Sequence, residues 1–308
     1  MRLSLPSFAA GALAATVMLA VPATALVAST AADANPNTYD GTAPSFTLNP
    51  VEFRIGSSLD AATAPAAELC TSHPWNTNIP IRLKWSGSDA TSGVAGYDVW
   101  GTGASFGGHQ KLVDATSATT FNRNGYNYDG DCGGGQEFDQ YYWVVSKDNR
   151  GNTASSGLVS PFVTAWQETG ATYLGDPGLA VTRTGTWSTA SCTCFNNGKT
   201  LYSTAAGASL SYKVTTTEPG QTVAIVVEKN SNRGTANISV DGGTATAVNT
   251  QASTPTHRVV VWQKTLSVGT HTVKVANAGT AGHSRVDVDG VLLTNGQGLG
   301  APPEPSTE

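Results

Sequence analysis

Between Gly185 and Thr294, short β-patterned runs alternate with Gly, Asn and Asp turns, and no 3.6-residue period appears. A chain written this way folds as layered sheets, because period two places one apolar face and one polar face on each strand. Val223-Ala224-Ile225-Val226-Val227 breaks the alternation and is apolar throughout, as expected of a central strand buried on both faces. Upstream, Ile79, Ile81, Leu83 and Trp85 alternate with Pro80, Arg82 and Lys84, and Tyr97 with Val99 and Tyr141-x-Trp143-x-Val145 repeat the pattern. The fold class expected is all-β, as two sandwich domains. At 308 residues the chain is long enough for two cores.

Charged residues make up only 13% of the chain against 39% hydrophobic, which is not a disordered composition. A net charge of −5 argues against nucleic acid, which needs a concentrated basic face, and against an anionic membrane surface. Arg2, the apolar run Phe8 to Val21, Pro22 and Ala23-Thr24-Ala25 read as a signal peptide over 1–25. The apolar run is short for a membrane span and no basic cluster follows it, so no membrane insertion is expected after cleavage. The expectation is a secreted, extracellular protein, either released or held at the cell surface by non-covalent contacts. Residues 26–42 read as a flexible leader, and the Gly- and Pro-rich 295–308 as a disordered tail.

Four cysteines in an exported chain read as disulfides. Of three possible pairings, the simplest stays within each half: Cys70 with Cys132 and Cys192 with Cys194. The first would close a long loop, worth about 4 kcal/mol in the chain-entropy model. The second closes a tiny ring and would fix a local bend; a redox or metal role for it lacks the further soft ligands zinc needs.

The stretches DGTAPSFTL, IRLKWSGSDATSGVAGYDVW and YYWVVSKDNRGNTAS resemble bacterial immunoglobulin-like and fibronectin-type-III-like domains of exported proteins. The resemblance implies such a sandwich over 43–165, with Ser160 to Thr172 as the junction. Gly185-Thr186-Trp187-Ser188, Arg233-Gly234-Thr235-Ala236, Val240-Asp241-Gly242, Gly269-Thr270-His271-Thr272-Val273 and Val286-Asp287-Val288-Asp289-Gly290 resemble the galactose-binding-like jelly rolls of secreted actinobacterial proteins. That implies a second domain over 172–294. Many such domains bind sugars, and others only pack or space.

Gly103-Ala104-Ser105-Phe106-Gly107 matches G-x-S-x-G, but a nucleophile elbow needs strand, turn and helix, and the surroundings are β-patterned. No familiar pair of hydrolytic carboxylates appears. Asn127, Asp129 and Asp131 beside Gly130 and Gly133 are candidate oxygen ligands for calcium; the alternative is an Asp-Gly turn beside Cys132. A structural calcium is also conceivable in the jelly roll, and no other cofactor is expected. Asp287 and Asp289 fall by alternation on the wet face of their strand. Gly290 inside that strand marks a bulge. Sugar recognition uses aromatic platforms and planar polar groups, so the candidate contacts are Trp187, Phe195, Asn196, Asn197, Asn230, Arg233 and His283, with Trp75 a further exposed aromatic. The function expected is a non-catalytic protein attaching to extracellular or cell-envelope polysaccharide. The alternatives are a spacer or protein-contact module of the cell surface and, behind it, a glycoside hydrolase.

Overall fold

A computed structural model describes residues 40–61, 77–103, 108–127, 141–160, 162–171 and 178–294. The signal segment, most of the leader, Trp75, Cys70, Asp129, Asp131, Cys132, residues 104–107 and the tail 295–308 lie outside them. The described part is all-β, with a single 3-10 turn and no α-helix among these residues.

The N-terminal half supplies β1 (Ser45–Leu48), β2 (Glu52–Phe53), β3 (Asp60–Ala61), β4 (Thr77–Ser88), β5 (Val94–Gly103), β6 (Gly108–Thr116), β7 (Thr120–Asn127), β8 (Tyr141–Asp148) and β9 (Thr153–Ser155). Then comes β10 (Phe162–Gln167). The C-terminal half supplies β11 (Ala180–Thr184), β12 (Ser188–Ser191), β13 (Lys199–Ser203), β14 (Ser209–Thr216), β15 (Thr222–Lys229), β16 (Thr235–Val240), β17 (Thr246–Asn249), β18 (Thr256–Thr265), β19 (Gly269–Asn277), β20 (Val286–Val288) and β21 (Gly290–Thr294).

The two halves do not meet end to end. One nine-stranded sheet, in the order β1-β4-β7-β10-β21-β15-β18 with β2 and β3 also on β4, runs through both. The expected junction, Ser160 to Thr172, is not a linker: β10 pairs in parallel with β7 and antiparallel with β21. Its neighbours in the sheet come from distant parts of the chain, which local spacing does not reveal. The shared sheet has a core on each face. Val163, Ala165, Ala224, Val226, Val260 and Leu292 point into the first core, with Ile79, Ile81, Leu83, Val99 and Tyr142. Trp166, Val223, Ile225, Val227, Trp262, Val291 and Leu293 point into the second, with Leu210, Tyr212, Ile238 and Val275. The unbroken apolar run of β15 thus serves both cores by strand alternation.

The outer layer over the first core is the sheet β6-β5-β8-β9, and the layer over the second is β11-β14-β19-β16-β17, with β12-β13-β20 beside it. The outer strand β18 is not a bare edge. Gly56 N–H bonds Val260 O, Leu59 N–H bonds Arg258 O, and Val260 N–H bonds Ser57 O, so the segment after β2 covers it. The last residues of the expected leader are anchored too. Asp40 is buried, and its carbonyl accepts a bond from the Asn152 side chain.

The G-x-S-x-G segment connects β5 and β6, which pair antiparallel from Gly103 and Gly108 onward; no helix follows. At Gly290 the chain changes sheets: β20 belongs with β13, β21 with β15 and β10. A Cβ there would lie 2.9 Å from the Trp166 carbonyl oxygen, so glycine is required by close approach.

Candidate functional site

The most polar concentration of the C-terminal half sits where β15 hands over to β16. Residues 230–234 turn tightly, with Arg233 N–H on Asn230 O and Ser231 N–H on the Asn230 side-chain oxygen. Gly234 lets the 280–283 turn press against this loop, since a Cβ would come within 2.0 Å of His283 O. His283 Nδ1 lies 2.7 Å from Ser231 O, so that nitrogen carries the proton and donates. Gln251 Nε2 sits 3.4 Å from the same ring. Asn230, Arg233 and His283, chosen from sequence, therefore converge on one rim.

Arg233, chosen as a sugar contact, is instead buried and turned inward. Its Nε donates to Asp287 Oδ2 at 2.7 Å and its Nη2 to Oδ1 at 3.2 Å. Arg285 Nη2 donates to Asp287 Oδ1 at 2.6 Å. The Arg285 guanidinium also lies over the Tyr202 ring, 3.8 Å from its centroid. Asp287 is thus fully buried between two guanidiniums, not on a wet face as alternation implied. A sequence shows the alternation but not the arginine that arrives from another strand.

Trp187 stands beside this row, because its neighbour Ser188 pairs with Tyr202, which pairs with Asp287. It is half-buried against the second core, and its Nε1 donates to Thr184 O. Tyr202, Gln251 and Arg285 were missed from sequence. Tyr202 was legible, since Leu201 and Ser203 flank it and put it on the face opposite the core.

Phe195 and Asn196 lie elsewhere. The Cys192–Cys194 disulfide is present and bends the chain into a 3-10 turn over Asn196–Gly198. Both residues are enclosed instead of presented on a loop surface. Phe195 meets His257 edge-on at 6.0 Å, and the Asn196 backbone N–H donates to both Asp289 oxygens, at 3.0 and 3.1 Å. Asp289 is also fully buried, a second correction to the wet-face reading. Burial first, then the negative charge of Glu228, push its carboxyl well above the usual range. Glu228 is raised as well, mainly by burial, against bonds from Arg258 N–H and His257. Glu168, a further buried acid, is raised by burial as well.

Glu228 and Asp289 are both buried, and the negative charge of Glu228 disfavours ionisation of Asp289. Glycoside hydrolysis needs two carboxyls facing across a substrate-sized gap; these two share one enclosed space. They do not gather with Glu168 into a metal-sized set either. Among the described residues, only Asp40, Asp89 and Asp148 bring three carboxylate oxygens within 4.8 Å of one another, in the N-terminal half. A groove between Phe46, Leu48, Pro50, Leu158 and Pro219 contains none of the residues chosen from sequence.

No family model matches the chain, and no curated protein matches it. Among solved structures, a family 35 carbohydrate-binding module from Clostridium thermocellum is 16% identical with a TM-score of 0.33, covering 42% of this chain and 98% of the module. The CBM36-1 domain of a multidomain xylanase from the hindgut metagenome of Trinervitermes trinervoides is 14% identical with a TM-score of 0.32, covering 45% and 99%. An exo-beta-1,3-galactanase from Phanerochaete chrysosporium is 16% identical with a TM-score of 0.33, covering 49% of this chain and 32% of the enzyme. The chain thus spans about a third of that enzyme's length. These likenesses are distant, and the functional reading rests on the residues of the rim.

Proposed function

We propose that the chain is a secreted, non-catalytic binding protein that attaches to extracellular or cell-envelope polysaccharide through its C-terminal half. The observation that carries this is the rim itself: Asn230, Gln251 and His283 offer amide and imidazole groups beside the Tyr202–Arg285 stack, on a frame fixed by buried Asp287. Sugar hydroxyls are bound by such planar donors and acceptors, and a pre-fixed frame lowers the ordering cost of binding. The jelly-roll resemblance and the signal-type N-terminus support the same reading. The burial of Glu228 and Asp289 away from the surface supports the absence of catalysis.

A glycan array followed by isothermal titration of the mature protein tests the proposal. Binding to at least one hexose polymer or peptidoglycan, weakened by Tyr202→Ala and His283→Ala, is expected. Silence across the array removes it. The sheet shared by both halves favours one other reading, a spacer or protein-contact module. That reading requires recovery of a defined protein partner with no response to any sugar.

A further inference from the structure

Three turns of the N-terminal half meet at one pole. Asp40 precedes β1, Asp89 opens the turn from β4 to β5, and Asp148 opens the turn from β8 to β9. One carboxylate oxygen from each lies within 4.8 Å of the others. Among the described residues no lysine, arginine or histidine pairs with any of them. Three like charges at this spacing repel, and no described cationic side chain neutralises them.

Each turn nevertheless holds its carboxylate in place. Asp89 Oδ1 accepts the N–H groups of Thr91, Ser92 and Gly93, at 3.1, 2.6 and 2.8 Å. Asp148 Oδ1 accepts those of Arg150 and Asn152, both at 2.8 Å. The Asn152 side chain ties Asp148 Oδ2 to the Asp40 carbonyl. The Ser92 N–H first of all holds the Asp89 carboxyl below its usual range. Burial raises Asp148, and its bonds from Asn152, Arg150 and Gly151 overcome this and leave it lowered.

Asp40 supplies the second, independent observation. It is more than nine-tenths buried; Thr42 N–H occupies Oδ1, and Oδ2 is enclosed with no hydrogen-bond partner. A bare buried carboxylate oxygen costs free energy unless something outside the chain meets it. We propose that Asp40, Asp89 and Asp148 form a calcium site that pins the start of β1 to the β4–β5 and β8–β9 turns. Oxygens bound to one calcium at about 2.3–2.6 Å lie no more than about 5 Å apart, as these do. The donor set is all oxygen and anionic, which suits a hard divalent cation and not a soft metal. Water completes the six to eight positions calcium fills. The site is distinct from the rim and does not depend on sugar binding.

The test is calorimetric titration of the full mature chain with calcium chloride, and thermal melting in calcium against EDTA. One calcium per chain at this pole is expected, with affinity about 10⁻⁴–10⁻³ M and a higher melting temperature in calcium. Asp40→Asn keeps the oxygen that Thr42 needs but removes the unpartnered charge. It should weaken calcium about tenfold or more and lose the calcium-dependent shift, while melting in EDTA no lower than the native chain. Asp89→Asn, whose amide oxygen accepts the same N–H groups, should do likewise if Asp40→Asn does not fold. A calcium response unchanged in a folded variant places the ion elsewhere and overturns the proposal. So does the absence of binding heat and melting shift in the native chain.

Discussion

Cutting the chain at the boundary its sequence suggests tests the shared sheet. A fragment of residues 172–294 lacks β10 and the N-terminal residues of the first core. Val226, Val260 and Leu292 then lose the layer packed over their first-core face. Fully burying an aliphatic side chain is worth about 1.5–3 kcal/mol, so baring the three costs about 5–9 kcal/mol. The second core also loses Trp166, and removing a core tryptophan costs about 3–5 kcal/mol. Domains have about 5–15 kcal/mol in all, so little stability is left. The fragment should show strand-type circular dichroism without a cooperative melt, bind a hydrophobic dye and self-associate. The full chain should melt in one calorimetric transition. If the fragment melts cooperatively within a few degrees of the full chain, β15 and β21 do not need the first core and the reasoning fails.

Four other perturbations have defined outcomes. Asp287→Asn leaves the nearly buried Arg233 guanidinium without its counter-charge and should cost about 3–5 kcal/mol by urea unfolding; under 1 kcal/mol would mean the pair is effectively solvated. Asp98 is raised by burial, but the Ala115 N–H, Lys147 and Lys111 outweigh this and hold it at about 2, against 3.8 normally. Its contribution, about 2 kcal/mol, is present above pH about 4 and lost as pH falls towards 2, so Asp98→Asn should flatten the acid limb of the stability profile. Gly290→Ala puts a Cβ 2.9 Å from the Trp166 carbonyl and should destabilise by about 1–3 kcal/mol, with no effect if the strand can shift freely. Glu228 has a raised folded pKa, so its ionisation takes away stability as pH rises through that value; Glu228→Gln should gain stability relative to the native chain at alkaline pH and not near pH about 4, and an equal offset at both would refute it.

Alternation made most strands legible, because it reports which face of a strand meets apolar neighbours. Ile79, Ile81, Leu83 and Trp85 all point inward, and Val223 to Val227 is buried on both faces. It does not report which core a face meets, so the shared sheet was invisible and Phe162 to Gln167 read as a joint. Alternation also treats polar as wet. Arg233 reaches Asp287 from 54 positions away, and Asn196 reaches Asp289 from 93. Such partners are set by topology, which local spacing does not encode. The rim was half legible: Asn230, Arg233 and His283 are turn residues, whereas Gln251 and Arg285 join them only through the parallel bridges Asn230–Gln251 and Arg233–Arg285.

The buried acids follow from the shared sheet itself. Gln167 pairs with Gly290, and Gly290 with Val226. This register brings Glu168, Asp289 and Glu228 to the same end of three adjacent strands, where the sheet with two cores runs out of apolar partners. No wet face is available there, and backbone N–H groups of Asn196 and Arg258 are the donors on hand. Burial therefore raises the carboxyls of both Glu228 and Asp289. Two residues before Asp289, Asp287 is paired with Arg233 and Arg285, which reach it from the rim. The Asp287-Val288-Asp289 segment thus passes from a carboxyl held by two guanidiniums to one held by the Asn196 backbone N–H across a single valine, at the point where the chain leaves the three-stranded sheet for the sheet that separates the cores.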